Sequence, residues 1–155
     1  MDPQVFIDIE LAQLHASAQD YHDRGWRAVN ICGSSVDGQV ELIYSFSDNE
    51  ELENLRLLVS NADTVPSISD IFLSTFFFEN ETHDLFGVDF KGIAIDFGGT
   101  FYPTSVPTPM NPASKQALAV AANSKAAQND PATDGQSVQT TAEQSEQTAG
   151  EDGNG

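Results

Sequence analysis

Apolar residues recur at Ile7, Leu11, Leu14, Ala18 and Tyr21, in steps of four and three. That spacing is the stripe of an amphipathic helix. Asp8 is placed to cap its start, and Gly25 follows its end. Residues 4–9 fit a short strand equally well, so the boundary stays open. Residues 26–36 read as a strand. Asp37-Gly38 is a two-residue hairpin signal, because such turns demand the positive φ that Gly tolerates. Val40, Leu42, Tyr44 and Phe46 then alternate with Glu41, Ile43 and Ser45, the pattern of a half-buried antiparallel strand. Residues 52–59 carry two periods at once. Asp48 followed by Glu51 resembles a capping box, and Leu52, Leu55 and Val59 fit a helix. Leu55, Leu57 and Val59 fit a strand. Val65-Pro66-Ser67 breaks the chain, and Ser67 or Ser69 is placed to cap a helical stretch that runs through Leu85 and ends at Gly87. Residues 88–90 and 93–97 read as short strands. This order predicts an α+β fold, a small antiparallel or mixed sheet with helices packed on one face.

Composition divides the 155 residues in two. Every aromatic residue lies at or before Tyr102. Of the 53 residues in 103–155, 31 are Ala, Ser, Thr, Gln or Asn, so little there can be buried. Ordering a backbone costs about 1–2 kcal/mol per residue, which such a segment cannot offset. The expectation is a folded domain over residues 1–102 and a disordered low-complexity tail over 103–155. An alanine-rich stretch at 114–128 has no apolar stripe and is expected to form at most a transient helix.

Charge narrows the partners. Against 24 Asp and Glu stand 6 Lys and Arg, a formal net charge of −18. Nucleic-acid binding needs clustered Lys and Arg and is excluded as a general role. Direct binding to an anionic membrane surface is disfavoured for the same reason. No apolar run approaches the roughly 20 residues of a membrane span. The start of the chain, MDPQVFIDIE, has no basic region and no apolar stretch, so no secretory leader is expected. The expected setting is cytoplasmic.

Candidate chemistry is sparse. Cys32 is the sole cysteine and can build neither an internal disulfide nor a cysteine cage. In a strand it reads as a small buried hydrophobe. Glu79 and His83 are four residues apart, a spacing that permits two metal ligands on one helix face, but zinc needs more. Glu79, Glu81 and Asp84 contain the paired carboxylates of acid–base chemistry, yet no nucleophile accompanies them. In so acidic a chain, three carboxylates on one helix read first as a solvated face. Asn80-Glu81-Thr82 matches a glycosylation sequon, and Gly98-Gly99-Thr100 lacks the lysine of a phosphate loop and reads as a turn. Phe72, Phe76, Phe77, Phe78 and Phe86 are different. Three consecutive rings cannot all face one core, so they read either as exposed aromatic surface of the kind that marks protein interfaces or as a tight aromatic core with one ring flanking it.

The same segment carries a resemblance. Val65-Pro66-Ser67-Ile68-Ser69-Asp70-Ile71-Phe72, followed by Phe78-Glu79-Asn80-Glu81-Thr82-His83-Asp84-Leu85-Phe86-Gly87-Val88, resembles the signature of the C subunit of respiratory complex I. That family includes the D subunit of energy-converting, membrane-bound NiFe hydrogenases. Residues 90–102 are similar to the hydrogenase branch, as is Glu79-Asn80-Glu81. The Gly-His-Pro-Asp-Leu-Arg stretch that follows in complex I subunits is missing, a departure from the complex I pattern.

The resemblance implies an α+β fold in which residues 52–59 are a strand. It implies a subunit with no catalytic residue, metal or cofactor of its own, docked on a large NiFe-type subunit and near iron–sulfur subunits that carry the cofactors. Phe78, Glu79, Glu81, His83, Asp84, Leu85, Phe86 and Gly87 would hold the docking surface, with Glu79, Glu81 and Asp84 paired or hydrogen-bonded across the interface. Membrane association would come through partner subunits on the cytoplasmic side. Two other readings remain: the equivalent subunit of a complex I-like NAD(P)H or quinone oxidoreductase, and a small stand-alone enzyme using Glu79 and His83.

Overall fold

The computed structural model describes residues 4–114. The disorder and the transient helix expected in the tail lie outside the described residues from 115 onward.

The central hairpin forms as its sequence requires. β2 (Arg27–Val36) and β3 (Gln39–Ser47) pair antiparallel around Asp37 and Gly38, both with positive φ, 47° and 84°. A turn with two left-handed residues twists the way the strands do, and glycine adopts the second without strain. β4 (Leu52–Val59) adds antiparallel to β3. Its two periods resolve to the strand, and Asp48 caps no helix. The Asp48 carboxylate instead accepts from the Glu50 and Glu51 amides in the β3–β4 turn.

The first stripe divides. β1 (Val5–Asp8) is a strand parallel to β4, giving the sheet order β1-β4-β3-β2. A 3-10 turn at Leu11–Gln13 then leads into α1 (Leu14–Asp23). Asp8 is therefore not a helix cap. Its carboxylate takes the Arg56 guanidinium across the sheet at 2.6 and 3.1 Å. Leu14, Ala18 and Tyr21 still face the core.

Both helices cover one face of the sheet. Val40, Leu42, Tyr44 and Phe46 of β3 share that face with Leu55, Leu57 and Val59 of β4, and all seven are buried. Tyr21 of α1 stacks on Phe46 with ring centroids 4.3 Å apart. Phe86, at the end of α2 (Phe76–Phe86), lies on Gly33 of β2, where an added Cβ would come 2.9 Å from the ring. The opposite face carries Asp8, Arg56 and Glu41, together with Cys32. Cys32 is exposed, contrary to the buried hydrophobe expected. It falls in the alternate register of β2 that points away from the helices.

The second half departs from expectation at three places. The helix does not begin at Ser67 or Ser69. Residues 67–72 form a loop, a 3-10 turn follows at Leu73–Thr75, and α2 starts at Phe76. β5 (Thr64–Pro66) pairs parallel with β6 (Asp89–Lys91), which leaves residues 93–97 as irregular strap rather than strand. The boundary at Tyr102 also falls short. Residues 103–114 close over the end of α2, and Asn111 is buried. Its amide donates to Phe86 O at 2.6 Å and to Asn61 Oδ1 at 2.8 Å, and Met110 N donates to Leu85 O at 2.8 Å. These bonds satisfy carbonyls that a helix end otherwise leaves open.

Candidate functional site

α2 has an unusual inner face. Its buried residues are Glu79, Asn80, Thr82, Asp84 and Phe86, four of them polar. A buried polar group must find partners, or its desolvation is uncompensated. Glu79, Asn80 and Asp84 reach different neighbouring segments.

Glu79 holds the loop at 67–72. Its carboxylate accepts from Ser67 Oγ at 2.6 Å and from Ile68 N at 2.8 Å. Ser67 has one hydroxyl proton and gives it to Glu79. The 2.6 Å contact between Ser67 and Ser69 therefore has Ser69 as donor. Ser69 Oγ in turn accepts from Ala94 N at 2.8 Å. The chain of donors runs from the strap through two serines to the carboxylate. Burial pushes the Glu79 carboxyl above its ordinary value, against the pull of the Ser67 and Ile68 donors. Tyr44 is fully buried, and its hydroxyl has no partner among the described residues. Burial and then the Glu79 charge push that phenol well up.

Asn80 holds the strap at 92–102. Its amide nitrogen donates to Phe76 O at 2.7 Å and to Ile95 O at 2.8 Å, and its oxygen accepts from Phe97 N at 2.9 Å. The last two contacts imitate a strand pairing, so one side chain replaces a ladder. Asp84 fixes the far end of the strap, accepting from Tyr102 N at 2.7 Å. Its other oxygen is buried and has no partner among the described residues.

His83 and Gly87 close the helix. His83 Nδ1 lies 2.9 Å from Val88 O. A carbonyl only accepts, so Nδ1 carries the proton. Gly87 has φ 73° and its amide donates to His83 O. An added Cβ would meet the Thr108 methyl at 2.9 Å. Gly87→Ala is expected to cost about 1–2 kcal/mol from the left-handed backbone alone. Its urea unfolding midpoint checks this.

The residues singled out in the sequence thus separate. Glu79, Asp84 and Phe86 are buried inside this chain, and Glu79 finds its partners there rather than across an interface. Phe78 and Leu85 are half-buried against the core. Glu81 stands outward and lies 3.4 Å from the Tyr102 hydroxyl, which its charge pushes up. Glu79 and His83 turn to different segments, so they form no pair. Among the described residues no group of three or more His, Cys, Asp and Glu side chains could hold a metal ion. Asn80, Ser67, Ser69 and Asn111 were missed as key residues. Asn80, Ser67 and Ser69 had only their place in the motif as a signal, the two serines being read as helix caps, and Asn111, beyond the motif, had none.

Of the aromatic run, Phe72 and Phe86 are buried and Phe77 is half exposed. The strap brings further rings to Phe77. Phe76 and Phe77 lie 4.0 Å apart, Phe77 and Phe101 6.1 Å, Phe97 and Phe101 5.2 Å, and Phe101 and Tyr102 5.0 Å. None of the rings at 97, 101 and 102 was foreseen beside α2.

Fold and site together define a small α+β domain stapled through the polar inner face of one helix. Residues 7–115 match the family described as respiratory-chain NADH dehydrogenase, 30 Kd subunit, and the chain belongs to that family. It is 37% identical over 71 residues to the C subunit of NADH-quinone oxidoreductase from Ruegeria pomeroyi, covering 41% of this chain and 36% of that one. It thus spans about a third of that relative's length. A chain of the membrane-bound sulfane sulfur reductase, an archaeal respiratory membrane complex, is similar with a TM-score of 0.65 and 14% identity. That match covers 91% of this chain and 87% of the other, and the likeness is one of fold.

Proposed function

We propose that this chain is a structural subunit of a membrane-bound, energy-converting NiFe hydrogenase, docked on the large subunit and without a cofactor of its own. The observation that carries the reading is the segment 65–102. Its family motif is stapled internally by Glu79, Asn80 and Asp84, so its polar groups serve to hold shape. The strap that follows resembles the hydrogenase branch in sequence. The complex would take electrons from reduced ferredoxin and reduce protons, with ion translocation left to other subunits. No helix among the described residues is long and apolar enough to cross a membrane. Attachment would therefore come through neighbouring subunits, on the cytoplasmic side.

The second reading, a subunit of a quinone- or NAD(P)H-linked relative, is favoured by the identity to the Ruegeria protein. Metal analysis of the tagged complex purified from its own cells separates the two. The hydrogenase reading expects stoichiometric nickel in the complex and hydrogen evolution with reduced ferredoxin. It expects no stoichiometric metal on the isolated chain. A complex with iron–sulfur clusters and no nickel supports the second reading. Tight nickel or iron–sulfur binding by the isolated chain overturns both.

A further inference from the structure

The aromatic surface beside α2 is not used by the internal staples. Phe77 is 50% exposed, Phe97 41% and Tyr102 41%, and Ile95 on the same strap is 47% exposed. Phe76 and Phe101 lie half-buried between them, joining the rings into one patch. The patch is held in place, because Asn80 and Asp84 fix the strap that carries its far side. A preorganised aromatic surface loses little conformational freedom on binding. Its rim is acidic. Glu81 lies against Tyr102, and Asp96 is exposed between Ile95 and Phe97. Between Arg56 and Lys115 the only Lys or Arg is Lys91, on β6.

We infer that Phe77, Phe97, Phe101 and Tyr102 form a docking surface for a protein partner whose apolar contact is flanked by Lys or Arg side chains. The charge decides among occupants. An anionic lipid surface would repel Glu81 and Asp96. A second copy placed symmetrically would set the same carboxylates against their equivalents. A basic-rimmed protein surface neutralises both carboxylates and offers cations to the ring faces. This inference rests on the subunit reading and supplies its contact surface. That surface lies at the start of α2 and on the strap rather than on the buried carboxylates of the motif.

The test uses the full chain, tagged, in its own cells. A photo-crosslinking phenylalanine analogue replaces Phe77 or Phe97, and the attached peptide is sequenced. The expected product is a peptide of another subunit with Lys or Arg beside apolar residues. Phe77→Ser with Phe97→Ser is expected to reduce the assembled fraction on the order of tenfold, as for central interface aromatics. The purified variant should keep its thermal midpoint, since both rings are exposed. Glu81→Gln with Asp96→Asn, which keeps an oxygen for the Gly98 amide, should also weaken assembly and flatten its salt dependence. Crosslinks to a second copy or to lipid, or normal assembly of the serine variant, overturn the inference while leaving the subunit reading intact. A basic-rimmed crosslinked partner from outside any oxidoreductase keeps the surface and overturns the subunit reading.

Discussion

Glu79→Ala is expected to destabilise the domain by about 3–5 kcal/mol, the largest effect of any single change in the motif. The alanine leaves the Ile68 amide without an acceptor in a buried site and takes from the Ser67 hydroxyl the carboxylate it donates to. Each buried donor so orphaned costs about 1–3 kcal/mol. The Ser67–Ser69–Ala94 relay also loses its terminus, so the 67–72 loop and the strap loosen together. Against a total stability of about 5–15 kcal/mol this is a large fraction, and Tm should fall by more than roughly 10 °C. Thermal unfolding followed by circular dichroism measures it. A fall of a degree or two would refute the role given to Glu79.

The same carboxyl makes a pH prediction of definite sign. Its folded pKa is raised, with burial the leading cause. A raised pKa means the protonated form is the better accommodated one in the fold. The contribution is fully present below the unfolded pKa, about 4.3 for Glu, and is lost as pH rises through the folded value. Relative to Glu79→Gln, which stays neutral, the wild-type chain should therefore lose stability as pH rises from the ordinary carboxylate range through the raised value. Urea midpoints of both proteins across mildly acidic pH report this. A difference independent of pH would show that Glu79 does not titrate in the fold as its burial requires.

Asn80→Ala is expected to have the second largest effect, about 2–3 kcal/mol, and a different signature. It removes two donated bonds and one accepted bond, two of them to the strap. The strap lies at the surface, so its freed groups can turn to water. Opening should be local. The Phe97 amide should exchange on the order of 30- to 100-fold faster while the amides of β3 keep their protection. Limited proteolysis should cut within 92–102 in the variant first. Equal loss of protection in the sheet and the strap would mean that Asn80 supports the core and not the strap.

Of these two side chains, the likeness to a family singles out Glu79, and nothing in the sequence singles out Asn80. Local signals suffice where the physics is local. Asp37-Gly38 demands a left-handed turn whatever surrounds it, and the alternation from Val40 to Phe46 leaves one buried face. Gly87 stops α2 because no other residue reaches its φ as cheaply. The strand at 52–59 was not legible from its period, since both periods were present, and only the resemblance favoured it.

The α+β class, the hairpin, the helix end at Gly87 and the family motif are legible in the residue order alone. Each of these depends on neighbours within a few residues. The rest follows from long-range packing. It made residues 5–8 a strand, because β4 offered them a parallel edge. It carried the fold past Tyr102, because the carbonyls of Leu85 and Phe86 needed the donors of Met110 and Asn111. It turned a helix face that reads as solvated into a buried one, because Ser67, Ile68, Phe97 and Tyr102 bring to Glu79, Asn80 and Asp84 the partners their desolvation requires. A polar residue's spacing along a helix does not reveal whether it meets water or a donor. That depends on chain segments 11 to 18 residues away, and only the folded chain places them.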